Sequence, residues 1–229
     1  MRSNSRGFVT IVLLLALTGV AYPGDKPVAE PVALLTAQDK TTGEIAGWRS
    51  FSQKPGTKTG EVWTLDAAGV LTCRGKPLGY LFTEKDYADF TLTLQWRWPE
   101  GKPGCGGVLI RKTGPDKIWP KSLEAQINHP DVGDFWGLDG FSLTGEARRM
   151  KSLEHPKFGK LTNLKKTADF ERPAGQWNDY TIEARGGTVT LIVNGQVGNR
   201  TTTCTVVPGK ILLTAEGNEY QFRNLRIAD

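Results

Sequence analysis

Apolar and polar residues alternate without a break along Phe90–Trp98, where Phe90, Leu92, Leu94, Trp96 and Trp98 interleave with Thr91, Thr93, Gln95 and Arg97. A period of two predicts a β-strand with one buried face. The same rhythm runs through Tyr180, Ile182 and Ala184, and resumes at Val189, Leu191 and Val193 after Gly186-Gly187. Asn194-Gly195 then supplies a pair that tolerates the left-handed backbone of a tight hairpin turn. Trp63–Leu65 and Val70–Cys73 flank Asp66-Ala67-Ala68-Gly69, a further hairpin signal, and Lys210–Ala228 reads as two strands joined near Glu216-Gly217-Asn218. No stretch after Val28 carries a long amphipathic helical pattern. Many short strands at close spacing predict an all-β fold, a two-sheet antiparallel sandwich of the jelly-roll type. One stretch breaks the rhythm. Thr144–Arg172 is rich in Lys, Arg, Glu and Pro and lacks alternation, which predicts a long rim loop rather than a second domain.

The N-terminus changes the picture of where the protein resides. Arg2 and Arg6 precede an almost wholly apolar run, Phe8–Leu17, and Thr18-Gly19-Val20-Ala21 offers small residues for cleavage. That order predicts a secretory signal over residues 1–21, a polar link at 22–27 and a single domain over 28–229, exported to the periplasm or secreted. The apolar run is too short for a permanent span, and no Cys follows it, so no stable membrane anchor is expected. About 200 residues remain, enough to bury one substantial core.

The net charge is +5, to which Arg2 and Arg6 contribute, and the remaining basic residues are scattered apart from Arg148-Arg149-Met150-Lys151 and Lys165-Lys166. A nucleic-acid footprint would be a denser stripe on one element, so no nucleic-acid partner is expected. Cys73, Cys105 and Cys204 form no CxxC pair, which excludes a zinc ribbon and leaves room for one disulfide and a spare thiol. Asn199-Arg200-Thr201 fits a glycosylation sequon, a triplet that also arises by chance in strands.

The chemistry concentrates in the segment from Asp116 to Trp136. If Ser122–His129 is a strand, Leu123, Ala125 and Ile127 face the core while Glu124, Gln126 and Asn128 form a polar row on the other face. A carboxylate and two amides suit sugar hydroxyls, which both donate and accept hydrogen bonds. The plainer reading is a solvated sheet surface. In Gly107–Arg111 the alternation places Arg111 on the face of Gly107 and Leu109, where it could meet Glu124. His129-Pro130-Asp131-Val132-Gly133-Asp134-Phe135-Trp136 groups an imidazole, two carboxylates and an indole. Trp119 and Trp136 are candidates to stack on sugar rings, the alternative for each being core packing. Lys117 is a further candidate for substrate binding.

Several of these pieces occur in an order that resembles the 3-keto-disaccharide hydrolase family. They are Gly47-Trp48, Gly79-Tyr80-Leu81, Tyr87-Ala88-Asp89-Phe90, Gly107-Val108-Leu109-Ile110-Arg111 and the core Leu123-Glu124-Ala125-Gln126-Ile127. Pro173-Ala174-Gly175-Gln176-Trp177-Asn178, Val193-Asn194-Gly195, Gly217 and Phe222-Arg223-Asn224-Leu225 continue the series to the C-terminus. Cys105-Gly106 stands where the family usually has Asn-Ser, and Gln95 where an acidic residue is common. The resemblance implies a concanavalin A-like jelly roll acting on sugars oxidised at C3.

A ketone at C3 acidifies the proton on C2, so a base can remove it and the resulting enolate can expel the C1 substituent. Water then adds to the unsaturated product. Such a route needs a base, a stabiliser for the enolate oxygen and an acid for the leaving oxygen. The resemblance implies Glu124 or His129 as base, Arg111 as electrostatic stabiliser, Gln126 as orienter and Glu216 as second carboxylate. A divalent metal ion that replaces or assists Arg111 is left open, with His129, Asp131, Asp134 and the glutamates as candidate ligands and no dense ligand spacing to mark a site. The alternative from another class is a non-catalytic carbohydrate-binding module of the same fold. An ordinary endo-glucanase would carry Glu-x-Asp-x-x-Glu on one strand, and that pattern is absent.

Overall fold

The structure, a computed structural model, describes residues 30–229. The expected signal segment and linker lie outside the described residues. In chain order the first strands are β1 (Val32–Ala33), β2 (Trp48–Ser52), β3 (Trp63–Leu65), β4 (Leu71–Cys73), β5 (Gly79–Thr83) and β6 (Phe90–Arg97). Next come β7 (Gly107–Lys112), β8 (Ser122–Gln126), β9 (Phe135–Leu138), β10 (Leu143–Thr144), β11 (Met150–His155) and β12 (Gly159–Leu164). The chain closes with β13 (Asn178–Arg185), β14 (Thr188–Val193), β15 (Gln196–Arg200), β16 (Thr203–Cys204), β17 (Lys210–Ala215) and β18 (Tyr220–Ala228). A single turn of helix, α1 (Thr59–Val62), precedes β3.

Two eight-stranded antiparallel sheets stack face to face. The back sheet runs β15-β14-β13-β6-β18-β4-β3, with β1 also paired to β18, and the front sheet runs β11-β12-β9-β8-β7-β17-β5-β2. The predicted alternation is met in β6, where Phe90, Leu92, Leu94 and Trp96 are buried between the sheets and the intervening residues are partly exposed. The front sheet contributes Val108, Ile110, Leu123, Ala125, Ile127 and Leu213 to the same core. The hairpin turn at Asn194-Gly195 has both residues at positive φ, 50° and 81°, as its sequence predicts. Among the described residues no helix is long and apolar enough to cross a membrane.

The front sheet differs from a half-solvated one. Every residue of β7 is buried, because its outer face carries a second apolar cluster of Tyr80, Leu109, Leu138, Leu161 and Leu212. Trp119, Trp136 and Phe158 pack against that cluster and cover it.

The structure corrects two expectations. Thr144–Arg172 is not a plain loop: it folds into the β11–β12 hairpin, which extends the front sheet by pairing β12 with β9. Its pattern was hidden because β11 is a charged, largely exposed edge strand, whereas β12 is buried on both faces from Leu161 to Leu164. The second correction concerns Arg111. Three steps along β7, from Leu109 to Lys112, match only two along β17, from Leu212 to Lys210, so β7 bulges, and Arg111 takes φ = 54°. A bulge inverts the facing of the residues beyond it. Lys112 therefore occupies the outer face, where its Nζ meets Asp116 at 2.6 Å, and Arg111 turns away from it.

Candidate functional site

Glu124, Gln126 and Asn128 project together from β8 and the extended residues after it, and all three line one cavity of about 280 Å³ on the outer face of the front sheet. The strand itself ends at Gln126, short of the expected His129, although Ile127 and His129 still donate from their backbones to Gly106 and Gly104. Room for the Glu124 side chain comes from its neighbour. A Cβ on Gly107 would stand 2.2 Å from Glu124 Oε1, so glycine is required there by close approach rather than by backbone angle. Thr214 Oγ1 pins that glycine by accepting its N–H at 2.8 Å.

A second carboxylate enters from a different element. β17 belongs to the front sheet and β18 to the back sheet, so the turn between them crosses the sandwich edge, and it carries Glu216 into the same cavity. Gly217, at φ = 103°, makes that turn and donates its N–H to Gly75 O at 2.8 Å. Glu216 Oε1 is buried with no hydrogen-bond partner among the described residues. Glu124 is only 6% exposed and meets neither a cation nor a hydrogen-bond donor among the described residues.

Burial drives both carboxyl groups upward. The Glu124 carboxyl is held well above the usual carboxylate range, first by desolvation and then by the negative charges of Glu216 and Asp134. Glu216 is raised by desolvation, against the lowering contacts of Thr214 and Trp119. Two desolvated carboxyl groups that line one cavity, the charge of Glu216 opposing ionisation of Glu124, cannot both ionise cheaply, so the pair holds a proton to higher pH than two solvated glutamates would. A site that holds one carboxylate beside one carboxylic acid has a base and an acid within one hollow.

The walls complete the arrangement. Trp136 Nε1 donates to Gln126 Oε1 at 3.0 Å. An indole N–H is a donor only, so it fixes the amide's orientation and leaves the Gln126 NH₂ to donate elsewhere. Trp119, held at φ = 55°, lies with its ring centroid 4.3 Å from that of Phe158 and forms part of the cavity wall. Leu138, Leu161 and Cys105 close the remainder.

Not every predicted site residue converges. Arg111 is 0% exposed and far from this role: its guanidinium donates to Ala88 O, Gly186 O and Thr205 O at 2.8–3.0 Å and pairs with Asp89 at 3.3 Å. Ala88 and Asp89 lie on the connection from β5 to β6, which joins the two sheets, Gly186 in the β13–β14 turn of the back sheet and Thr205 ahead of β17, so Arg111 on the front sheet ties these segments together instead of facing Glu124. His129 is about half exposed, pairs with Glu171 at 2.8 Å and does not line the cavity. Lys117 likewise lies outside that lining, paired with Asp139 at 2.7 Å. Asp131 pairs with Lys165, and Asp134 is buried as an acceptor for Asn163 Nδ2 and the Lys166 N–H. His129, Asp131 and Asp134 are thus each engaged elsewhere, which leaves Glu124 and Glu216 alone of the expected ligands in the cavity, and among the described residues no three His, Cys, Asp or Glu side chains form a metal-holding cluster.

The three cysteines are free thiols, so the disulfide for which the sequence left room is not formed. The Asn199 sequon is buried, its Nδ2 donating to Gly133 O and Leu164 O, which leaves no amide for a glycan. Phe158 and Leu161 escaped the sequence reading because they stand in the stretch taken for a loop. Lys112, joined to Tyr80 through the Asp116 carboxylate, escaped it because the bulge that aims Lys112 has no sequence signal.

A jelly roll whose outer face holds a ring-sized hollow, bordered by indoles and furnished with carboxylates and an oriented amide, is the architecture of a carbohydrate-active protein. Residues 39–228 match the 3-keto-alpha-glucoside-1,2-lyase-like domain, and the chain belongs to that family. Among solved structures it is similar to a provisionally named glycosyl hydrolase of Parabacteroides distasonis, at 19% identity and a TM-score of 0.56, over 80% of this chain and 88% of that one. It is also similar to a carbohydrate-binding module of Bacillus subtilis (13% identity, TM-score 0.53, 80% and 96% of the two chains). A β-glucanase of Bacillus licheniformis shares the fold as well, at 12% identity and a TM-score of 0.52 over 80% and 92%. No curated protein sequence matches the chain.

Proposed function

We propose that this protein cleaves glycosides oxidised at C3, by removing the C2 proton, expelling the C1 substituent and adding water to the resulting enone. The observation that carries the reading is the pair Glu124 and Glu216, two buried carboxyl groups without a neutralising cation among the described residues, lining one cavity with the amides of Gln126 and Asn128. A structural ion pair would have a partner; this one has a hollow.

In the proposed reaction a carboxylate takes the C2 proton, and the electrons of the C–H bond pass to the C3 oxygen as an enolate. The Gln126 NH₂, left free by the Trp136 contact, would donate to that oxygen and so take the role first expected of Arg111. Collapse of the enolate breaks the C1–O bond, forms C1=C2 and restores the ketone, while the leaving oxygen accepts a proton. Glu216 borders two adjoining cavities whereas Glu124 borders one, which favours Glu216 as the acid at the scissile oxygen and Glu124 as the base at C2. Water addition at C1 then completes net hydrolysis. The paired-carboxylate attack of ordinary glycosidases is not required. Export to the periplasm or beyond, carried by the N-terminal pattern, is part of the proposal.

The test is turnover of a 3-keto-glucoside in D₂O. Deuterium at C2 of the released sugar and loss of turnover in Glu124→Gln are the expected results. Unchanged turnover in Glu124→Gln removes that residue from catalysis, and saturable binding of the keto sugar without release favours a binding module instead.

A further inference from the structure

Next to the carboxylate cavity lies another of about 340 Å³, and the two share Cys105, Trp119 and Glu216 as a common wall. Their linings differ in kind. Where the first offers Glu124, Gln126 and Asn128, the second presents Leu78, Tyr80, Leu109, Ile118, Pro120 and Phe158. Its inner polar groups are already engaged: the Tyr80 hydroxyl donates to Asp116 at 2.9 Å, and Thr214 Oγ1 accepts the Gly107 N–H. Gln53 and Lys157, both exposed, stand at its rim. The exception is Glu216, whose buried Oε1 has no partner among the described residues and lies at the junction.

We propose that this second cavity is the leaving-group subsite and that it takes an aromatic aglycone, which makes aryl glycosides, rather than disaccharides, the preferred substrate class. The inference rests on the reading of Glu124 and Glu216 as the reacting pair. A sugar in the second cavity would surrender the hydration of its hydroxyl groups to walls of Leu, Ile, Pro and Phe that return no hydrogen bond, and sites of that kind discriminate strongly. A flat aromatic ring meets the opposite situation. The Trp119, Phe158 and Tyr80 rings in its lining give a flat aromatic group partners for offset-stacked or edge-to-face contact. The chemistry agrees with the lining. A phenol, like the tyrosine side chain, has a pKa of about 10, so its oxygen departs with less proton transfer from Glu216 than a sugar alkoxide would need.

The experiment uses unoxidised glucosides, which the keto-dependent route does not consume, so that binding is measured apart from catalysis. Calorimetric titration of the whole protein with phenyl, methyl and glucosyl D-glucosides, in both anomers, is expected to show the phenyl compound binding at least tenfold more tightly than the other two. Phe158→Ala and Ile118→Asn, two independent variants, should each reduce that ratio below threefold. Equal affinity for the disaccharide and the phenyl glucoside, an unchanged ratio in both variants, or no saturable binding would overturn the subsite. A tenfold phenyl preference in a protein that leaves 3-keto-glucosides intact would uphold the subsite and refute the catalytic reading.

Discussion

Replacing Gly107 by alanine adds one methyl group, and its consequence can be worked from distances. The new Cβ would stand 2.2 Å from Glu124 Oε1 and 2.9 Å from both Cδ and Cγ. To reach ordinary contact at 3.4 Å, the carboxylate oxygen must retreat by about 1.2 Å. Backbone strain does not arise, because Gly107 is not at positive φ, and alanine is tolerated within a strand. The displaced atoms, the carboxyl group and to a lesser extent Cγ, belong to one side chain that borders a cavity, so they have somewhere to go. The fold should therefore survive with a stability change within about 1 kcal/mol, whereas a misplacement near 1 Å at a reacting group typically costs about a hundredfold in rate. The assay pairs urea unfolding with turnover of a 3-keto-glucoside. A ¹³C titration of the glutamate carboxyls adds a readout independent of any substrate, since a Glu124 pushed towards water should titrate closer to its ordinary range. Full activity with an unmoved Glu124 resonance would refute the argument. So would collapse of the fold, which would mean that Gly107 serves packing instead.

Arg111→Met keeps the bulk and removes the donors to three carbonyl oxygens; leaving such a buried cluster unpaired should cost roughly 3–5 kcal/mol and lower the melting temperature by about 10 °C. If calorimetry shows normal stability but activity is lost, Arg111 belongs to the site after all. Glu124→Gln should alter stability in a pH-dependent way. The folded-state pKa of Glu124 is raised, so the parent holds extra protons when folded, and its stability declines as pH rises above the ordinary glutamate value of 4.5. The variant should consequently exceed the parent in urea titrations at pH 8 and lose that advantage at pH 4; an advantage that grows towards acid would contradict the assigned direction.

The legibility of the fold came from where water lies. β6, β13 and β14 bury one face and wet the other, so Phe90, Leu92 and Leu94 against Thr91 and Thr93 spell out a strand directly. The hairpin at Asn194-Gly195 was equally plain, because the turn demands residues that accept positive φ. Where both faces were covered, as in β7 and β12, or where charges guarded an edge, as in β11, the pattern vanished. The site divided along the same line. Glu124, Gln126 and Asn128 come from the period of one strand, whereas the failed pairing of Arg111 with Glu124 assumed that period across a bulge.

Local order along the chain thus decided, by itself, that alternating segments would stack as two sheets and that a carboxylate and two amides would share one face. Only the assembled sandwich decided which groups meet there. It brought Glu216 across an edge turn from a strand distant in sequence, sent Arg111 to tie loops together, and kept His129 beside Glu171. The physical reason is that period-two facing is a property of consecutive residues, while burial, proton affinity and the shape of a hollow belong to neighbours that the chain reaches only after folding.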